Sequence, residues 1–161
     1  NYLKNVRGDT FNIFVDYPSE TEEMDIMRLT TTIQDLTLKR VLSGRDILQI
    51  QEIVRRVPIA DHVINYSMKI VRATRLTKQE APDFIKEWLS WGAGPRATQY
   101  LILGGKARSL LHGRYYVSCD DVAAISHPVL RHRLITNFNA EAEGVTTYHI
   151  TDRLLEHVPK E

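Results

Sequence analysis

The spacing of apolar residues changes once along this chain, near Tyr17–Pro18. Before that point Phe11, Ile13 and Val15 fall on one side of an alternating stretch, the period of a strand. After it the apolar positions recur every three or four residues, the period of helices. Ser19 with Glu22 makes a capping-box pattern, and Glu20, Glu22 and Glu23 place negative charge in a first turn. That helix carries Met24, Met27 and Ile33 and is expected to fray in the Thr30–Thr32 run. Ser43 with Asp46 predicts a second start, followed by Ile47, Ile50, Val54 and Val57 at helical spacing up to Pro58. Asp61 is read as the cap of a third helix with Val63, Ile64, Met68, Ile70 and Val71, ending near Thr74–Arg75.

Downstream, Pro82 predicts a short helix through Trp88. The clearest pattern spans 95–112, where Ala97, Tyr100, Leu101, Gly104, Ala107 and Leu111 form one stripe. Gly104 on that stripe predicts close approach of another helix, and Gly113 predicts the stop. Tyr115–Val117 reads as an extended link, Ser118 with Asp121 as a helix start, and Pro128 as the opening of the next. Residues 137–145 read as a polar loop, and Thr147 as the cap of a last helix with Ile150, Leu154, Leu155 and Val158. The fold class is therefore all-α: a helical bundle preceded by one orphan strand. A lone strand has nothing to pair with, so residues 11–16 look like an edge cut from a larger sheet. Residues 1–16 are expected to be poorly anchored or to borrow pairing from a neighbour.

Composition narrows the function classes. With 161 residues the chain suffices for one domain with a sizeable core. Its 21 basic and 20 acidic residues give no broad field that would gather nucleic acid or an acidic membrane. Cys119 is the single cysteine, which excludes an internal disulfide and fits a reducing cytosol. Asp120 and Asp121 beside it disfavour a thiolate. No apolar run approaches about 18 residues, and the N-terminus has no signal-peptide pattern, so a soluble, cytoplasmic protein is expected.

Several motifs fail on context. Gly105–Lys106 resembles the end of a phosphate-binding loop, but Tyr100 stands where a glycine is needed and Ala107 where a hydroxyl is needed. Asp16 ends a strand, as a magnesium-binding aspartate would, yet Tyr17–Pro18 follows and a turn-capping role is the commoner one. The six histidines offer no pair three or four apart on a helix, so no metal site is predicted. Arg131–His132–Arg133 could hold a phosphate, but a solvated or salt-bridged face is the plainer reading.

The stretch WGAGPRATQ, residues 91–99, carries the strongest chemical hint. Gly92 and Gly94 permit a sharp turn, and Pro95 suits a first helical position. Arg96 then lies in the first turn of a helix, where the dipole favours anions and not cations. A bound phosphate would resolve the conflict. A surface arginine that is solvated or paired with a carboxylate is the alternative.

These residues carry a family resemblance. GAGPRA, with FNIFVDYPSETEE upstream, VRATR at 71–75, and YYVSCDDVAAISHPVLRHRL and NAEAEG downstream, closely resembles the C-terminal portion of MoxR-type AAA+ ATPases, from about Phe11 to Val158. In that family a P-loop core sheet is followed by a small helical lid. The resemblance implies that residues 1–18 are a remnant of the core and residues 19–161 the lid. It also implies that Arg96 matches the sensor-2 arginine, which reaches the terminal phosphates of ATP, with Gly94 and Pro95 positioning it. ATP as cofactor follows, with Mg2+ in the full-length protein held by ligands outside this chain. So does a ring, a hexamer by family pattern, acting as a chaperone-like machine on von Willebrand A-domain or other clients. No catalytic set is complete here. One departure stands out: where the family usually reads LDRF, this chain has Asn5–Thr10, with Arg7 out of register, so no trans-acting arginine is carried over. The rival class is a free-standing helical interaction module that never meets nucleotide.

Overall fold

The computed structural model describes residues 10–33, 38–77 and 79–160. Arg7 and the rest of residues 1–9 lie outside them. Among the described residues are nine helices and a two-stranded sheet. The first two helices, α1 (Glu20–Thr30) and α2 (Gly44–Arg56), begin on reciprocal capping boxes. In α1 the Ser19 hydroxyl accepts from the Glu22 amide while the Glu22 carboxylate accepts from the Ser19 amide. Ser43 and Asp46 repeat the arrangement in α2. Each box satisfies two amides that the helix leaves orphaned. As expected α1 ends in the threonine run, where the Thr30 and Thr31 hydroxyls donate back to Ile26 O and Met27 O. Neither helix buries a residue, and Met24, Met27, Ile47 and Ile50 are exposed.

The bundle proper starts at Val57. Helix α3 (Asp61–Ala73) packs against α5 (Pro95–Leu111) and α6 (Cys119–Ala124), and α7 (Ser126–Leu130) packs against α5 and α9 (Thr147–His157). Tyr66 and Ile70 of α3, Leu101 of α5, Val122 of α6, Leu130 of α7 and Ile150 and Leu154 of α9 are fully buried in one cluster. Asp61 is the first helical residue of α3, and Ala60 is its cap, without a side-chain bond. One residue departs from the predicted stripe of α5. Leu111 is 86% exposed, and Leu110 is the one that packs on the core. At Gly104 the close neighbours are Ile125, at the α6–α7 junction, and the Phe11 ring. A methyl added there would sit 2.5 Å from Ile125 Cδ1 and 2.6 Å from Phe11 Cζ.

Buried Asp121 ties α5, α6 and the link between them together. Its carboxylate accepts from Arg108 (2.7 Å), from both terminal nitrogens of Arg114 (2.5 and 2.8 Å) and from the Ser118 amide (3.0 Å). Burial alone would raise its pKa; the bonds from Arg114, Ser118 and Arg108 outweigh burial and hold it well below the usual carboxylate range.

Other local features differ from the sequence expectation, among them the start of α7 at Ser126, two residues before Pro128. Residues 137–145 contain a short helix, α8 (Phe138–Ala142), capped by Asn137 and anchored by fully buried Ala140. The last helix is capped by Thr146, one residue before Thr147, with His149 completing the box. A small sheet joins β1 (Leu89–Trp91) to β2 (Ile135–Thr136), antiparallel, after the predicted helix α4 (Asp83–Trp88). It was not legible because two residues of β2 carry no period.

Residues 11–16 form no helix and no ladder, as an orphan strand would not, but the expectation of poor anchoring is corrected for residues 10–14. The Asn12 amide donates to Pro128 O at 2.7 Å, Phe11 covers Gly104, and the Arg131 guanidinium lies 6.0 Å from the centre of the Phe14 ring. Ile13, Val15 and Tyr17 remain exposed.

Candidate functional site

The site is built around the turn that carries the chain from β1 into α5. Gly92 is needed there for space, not for unusual backbone angles, because its φ is not positive. A Cβ on it would stand 1.9 Å from the carbonyl oxygen of Thr74, at the end of α3. The next residue, buried Ala93, donates its amide to the Thr74 hydroxyl at 2.8 Å. Gly94 then serves as N-cap of α5, with φ −83° and ψ 177° and no neighbour within 4 Å of where a Cβ would lie. Pro95 occupies the first turn, as expected, and no acidic residue follows there.

Arg96 is exposed and makes no hydrogen bond or ion pair among the described residues. The alternative of an arginine paired with a carboxylate is therefore not met within them. The N-cap offers no side-chain acceptor to the first amides of α5. A free guanidinium and uncapped amides thus share one helix end, an arrangement suited to an anion. Beside them lies an open cleft of about 350 Å³, walled by Arg75–Thr77 on one side and Ser90–Gly94 on the other. Trp91, 68% exposed, forms part of its wall.

The other residues singled out by sequence are engaged elsewhere. Gly105 packs under Val117 in mid-helix, and Lys106 donates to Arg55 O at 3.2 Å, so the phosphate-loop likeness has no loop behind it. Arg131 faces Phe14, and Arg133 lies over Tyr100 and donates to Val129 O, so the two do not form a joint anion site. Burial, with Asp120 nearby, pushes the Cys119 thiol up. Among the described residues no three His, Cys, Asp or Glu side chains come together as a metal site would require, and no helix is long and apolar enough to cross a membrane.

Two arrangements escaped the sequence. One is the bond between Thr74 and Ala93, 19 residues apart; the nearness of VRATR and GAGPRA in space has no periodic signal. The other is His127, whose Nε2 lies 2.9 Å from Asp152 and whose ring stacks on Tyr148 at 4.0 Å.

Comparison with known proteins converges on the same segment. Residues 84–154 match the AAA lid domain family. The chain is 34% identical over 149 residues to the chaperone MoxR1 of Mycobacterium tuberculosis, a match covering 92% of this chain and 39% of that protein. It is 29% identical over 149 residues to the uncharacterized protein YeaC of Bacillus subtilis, covering 92% and 44% respectively. A crystal structure of a candidate ATPase from Cytophaga hutchinsonii superposes with a TM-score of 0.80 at 27% identity, covering 94% of this chain and 46% of that one. The chain thus spans less than half the length of these relatives. Residues 84–154 are similar to AAA lid domains, in a chain that resembles MoxR-type AAA+ ATPases along nearly its whole length.

Proposed function

We propose that this chain is the lid and sensor module of an ATP-driven, ring-forming, chaperone-like ATPase of the cytoplasm, in which Arg96 contacts the terminal phosphates of ATP. Residues 1–18 would then belong to the ATPase core and residues 19–161 to the lid. The observation that carries this reading is Arg96 itself: an exposed cation with no partner among the described residues, at an uncapped helix start, on a turn packed firmly against α3. A cation there would stabilise charge that develops on the transferring phosphoryl group. Gly94 and Pro95 set where it begins. The core of the full-length protein would supply the phosphate-binding loop and the Mg2+ ligands, and the chain by itself would not turn over ATP. The uncovered apolar faces of α1 and α2 support the same reading, as surfaces that meet the core or a neighbouring subunit in the ring. Clients, von Willebrand A-domain proteins among them, would be remodelled by the whole ring.

The test pairs two measurements on Arg96→Ala. Melting of this chain should stay within about 0.5 kcal/mol, as for surface substitutions generally. Turnover of the full-length ATPase should fall by roughly 10- to 1000-fold, the scale of losing one charge-stabilising donor. A destabilised lid with normal turnover would end the assignment.

The same exposed faces of α1 and α2 favour the second reading, a free-standing helical interaction module. The parent reading frame discriminates: a phosphate-binding loop encoded upstream supports the ATPase, and its absence supports the module.

A further inference from the structure

The turn that presents Arg96 is fastened to Thr74. This residue caps the C-terminal end of α3 and is fully buried. Its hydroxyl uses both of its capacities: it donates to Val71 O at 2.7 Å and accepts from the Ala93 amide at 2.8 Å. Its carbonyl oxygen occupies the space where any residue larger than glycine at position 92 would put a Cβ. Arg75 adds a long contact from Nε to Ala93 O, 3.5 Å. Only Gly94 and Pro95 separate this anchor from Arg96, and Pro95 has a locked φ. On the other side, Ala97 and Leu101 are fully buried, so α5 cannot rotate independently of the core.

We infer that Thr74 is a positioning residue for Arg96: its hydroxyl sets where the start of α5, and therefore the guanidinium, stands relative to a phosphate. The inference rests on the phosphate-contact reading of Arg96. Valine has nearly the shape of threonine but neither donates nor accepts, so Thr74→Val would leave the buried Ala93 amide without its partner. The turn would shift to find another, and misplacement by about 1 Å can cost up to about 100-fold in rate. Serine keeps both hydrogen bonds.

The experiment uses the full-length ATPase and four variants: Thr74→Val, Thr74→Ser, Arg96→Ala and Thr74→Val combined with Arg96→Ala. The expected result is a fall in kcat of about 10- to 100-fold for Thr74→Val, with KM for ATP little changed. Thr74→Ser should restore near-normal kcat. In the double variant the valine should add nothing to the loss already caused by Arg96→Ala, because a residue that acts through Arg96 has no effect once it is gone. Equal fold-losses from the valine with and without Arg96 would overturn the inference, as would unchanged kcat in a Thr74→Val protein that merely melts earlier. Normal turnover in Arg96→Ala is a different failure, that of the phosphate-contact reading itself. If the valine variant does not fold, amide exchange in the 161-residue chain decides. The Ala93 amide should be among the slow ones in the wild type and in Thr74→Ser. Fast exchange there would show that the turn is not held, and would overturn the inference.

Discussion

Residues 10–56 and residues 57–160 obey the same local rules and reach opposite outcomes. Helices α1 and α2 start on capping boxes as complete as those of α6 and α9. The apolar residues of α2 are spaced as regularly as those of α3, and those of α1 less so. Yet neither buries a single residue, whereas α3 alone buries six. Caps and periodicity decide that a segment is helical and where it begins; they do not say whether anything lies across from its apolar face. In α3 that face meets α5 and α6, and in α2 Ile47 and Ile50 meet solvent at 48% and 45% exposure. Helix α2 does touch α5, where Lys106 donates to Arg55 O, but that contact leaves its apolar face about half in water, so the regions differ in how fully that face is covered.

Substitution of apolar residues should separate the regions most sharply. Leu101→Ala, at a fully buried position of α5, should destabilise the chain by about 2–5 kcal/mol, the cost of lost burial and a cavity. Chemical denaturation of the purified chain measures it. A loss below about 1 kcal/mol would mean that the bundle around α5 is no better packed than the surface of α2.

Asp121 should give the next largest effect and the clearest pH dependence. Its folded pKa is depressed, so the stability it contributes is fully present above its unfolded value of about 4 and is lost as pH falls below that. Breaking such a buried pair costs about 3–5 kcal/mol, and the lower end applies because Arg108 and Arg114 keep access to water. Asp121→Asn should therefore lower stability at neutral pH and flatten the fall in stability between about pH 4 and pH 2. An acid limb identical in wild type and variant would show that the clasp contributes nothing measurable.

How much of this could be read from the sequence follows the same division. The caps at Ser19, Ser43 and Ser118 were legible because a capping box is a four-residue signal. The α5 boundaries were legible from Pro95 and Gly113, the latter with φ 68° as a helix stop requires. The core face of α5 was legible at Ala97 and Leu101 but misplaced at its end, where Leu110 and Leu111 are equally apolar and only packing chooses between them. Helix α8 was hidden because its driving residue, Ala140, is small and its cap, Asn137, also suits a loop. At the candidate site Arg96 stood out through its neighbours in sequence. Thr74 did not, because what makes it matter is a bond to a residue 19 positions away. Contacts of that range leave no period behind.

A helix cap should matter less than either core change, and only locally. Ser43→Ala removes the acceptor for the Asp46 amide and about 1 kcal/mol of helix stability. Because α2 buries nothing, that loss should appear as faster amide exchange within α2, with the melting of residues 57–160 unchanged. A lower global melting temperature would show that α2 is coupled to the bundle more tightly than its exposure implies.

The smallest expected effect in this chain is also the one that tests the comparison most directly. Ile47→Ser with Ile50→Ser replaces two large apolar groups on the face of α2. Both side chains are already about half in water, so little apolar area is transferred when they are removed, and the chain's stability should change by no more than about 0.5 kcal/mol per site. Solubility should rise, since an uncovered apolar patch favours non-specific association. In the full-length protein the expectation reverses. If that face meets the ATPase core or a neighbouring subunit, the same two serines would leave hydroxyls against an apolar surface and weaken the contact, each lost side chain being worth about 1.5–3 kcal/mol of burial. The proposed ring, followed by light scattering, should then dissociate at a higher protein concentration than that of the wild type. Equal dissociation of both proteins would mean that α2 faces solvent in the assembly as well. The two regions would then differ in how tightly each is packed within the chain itself.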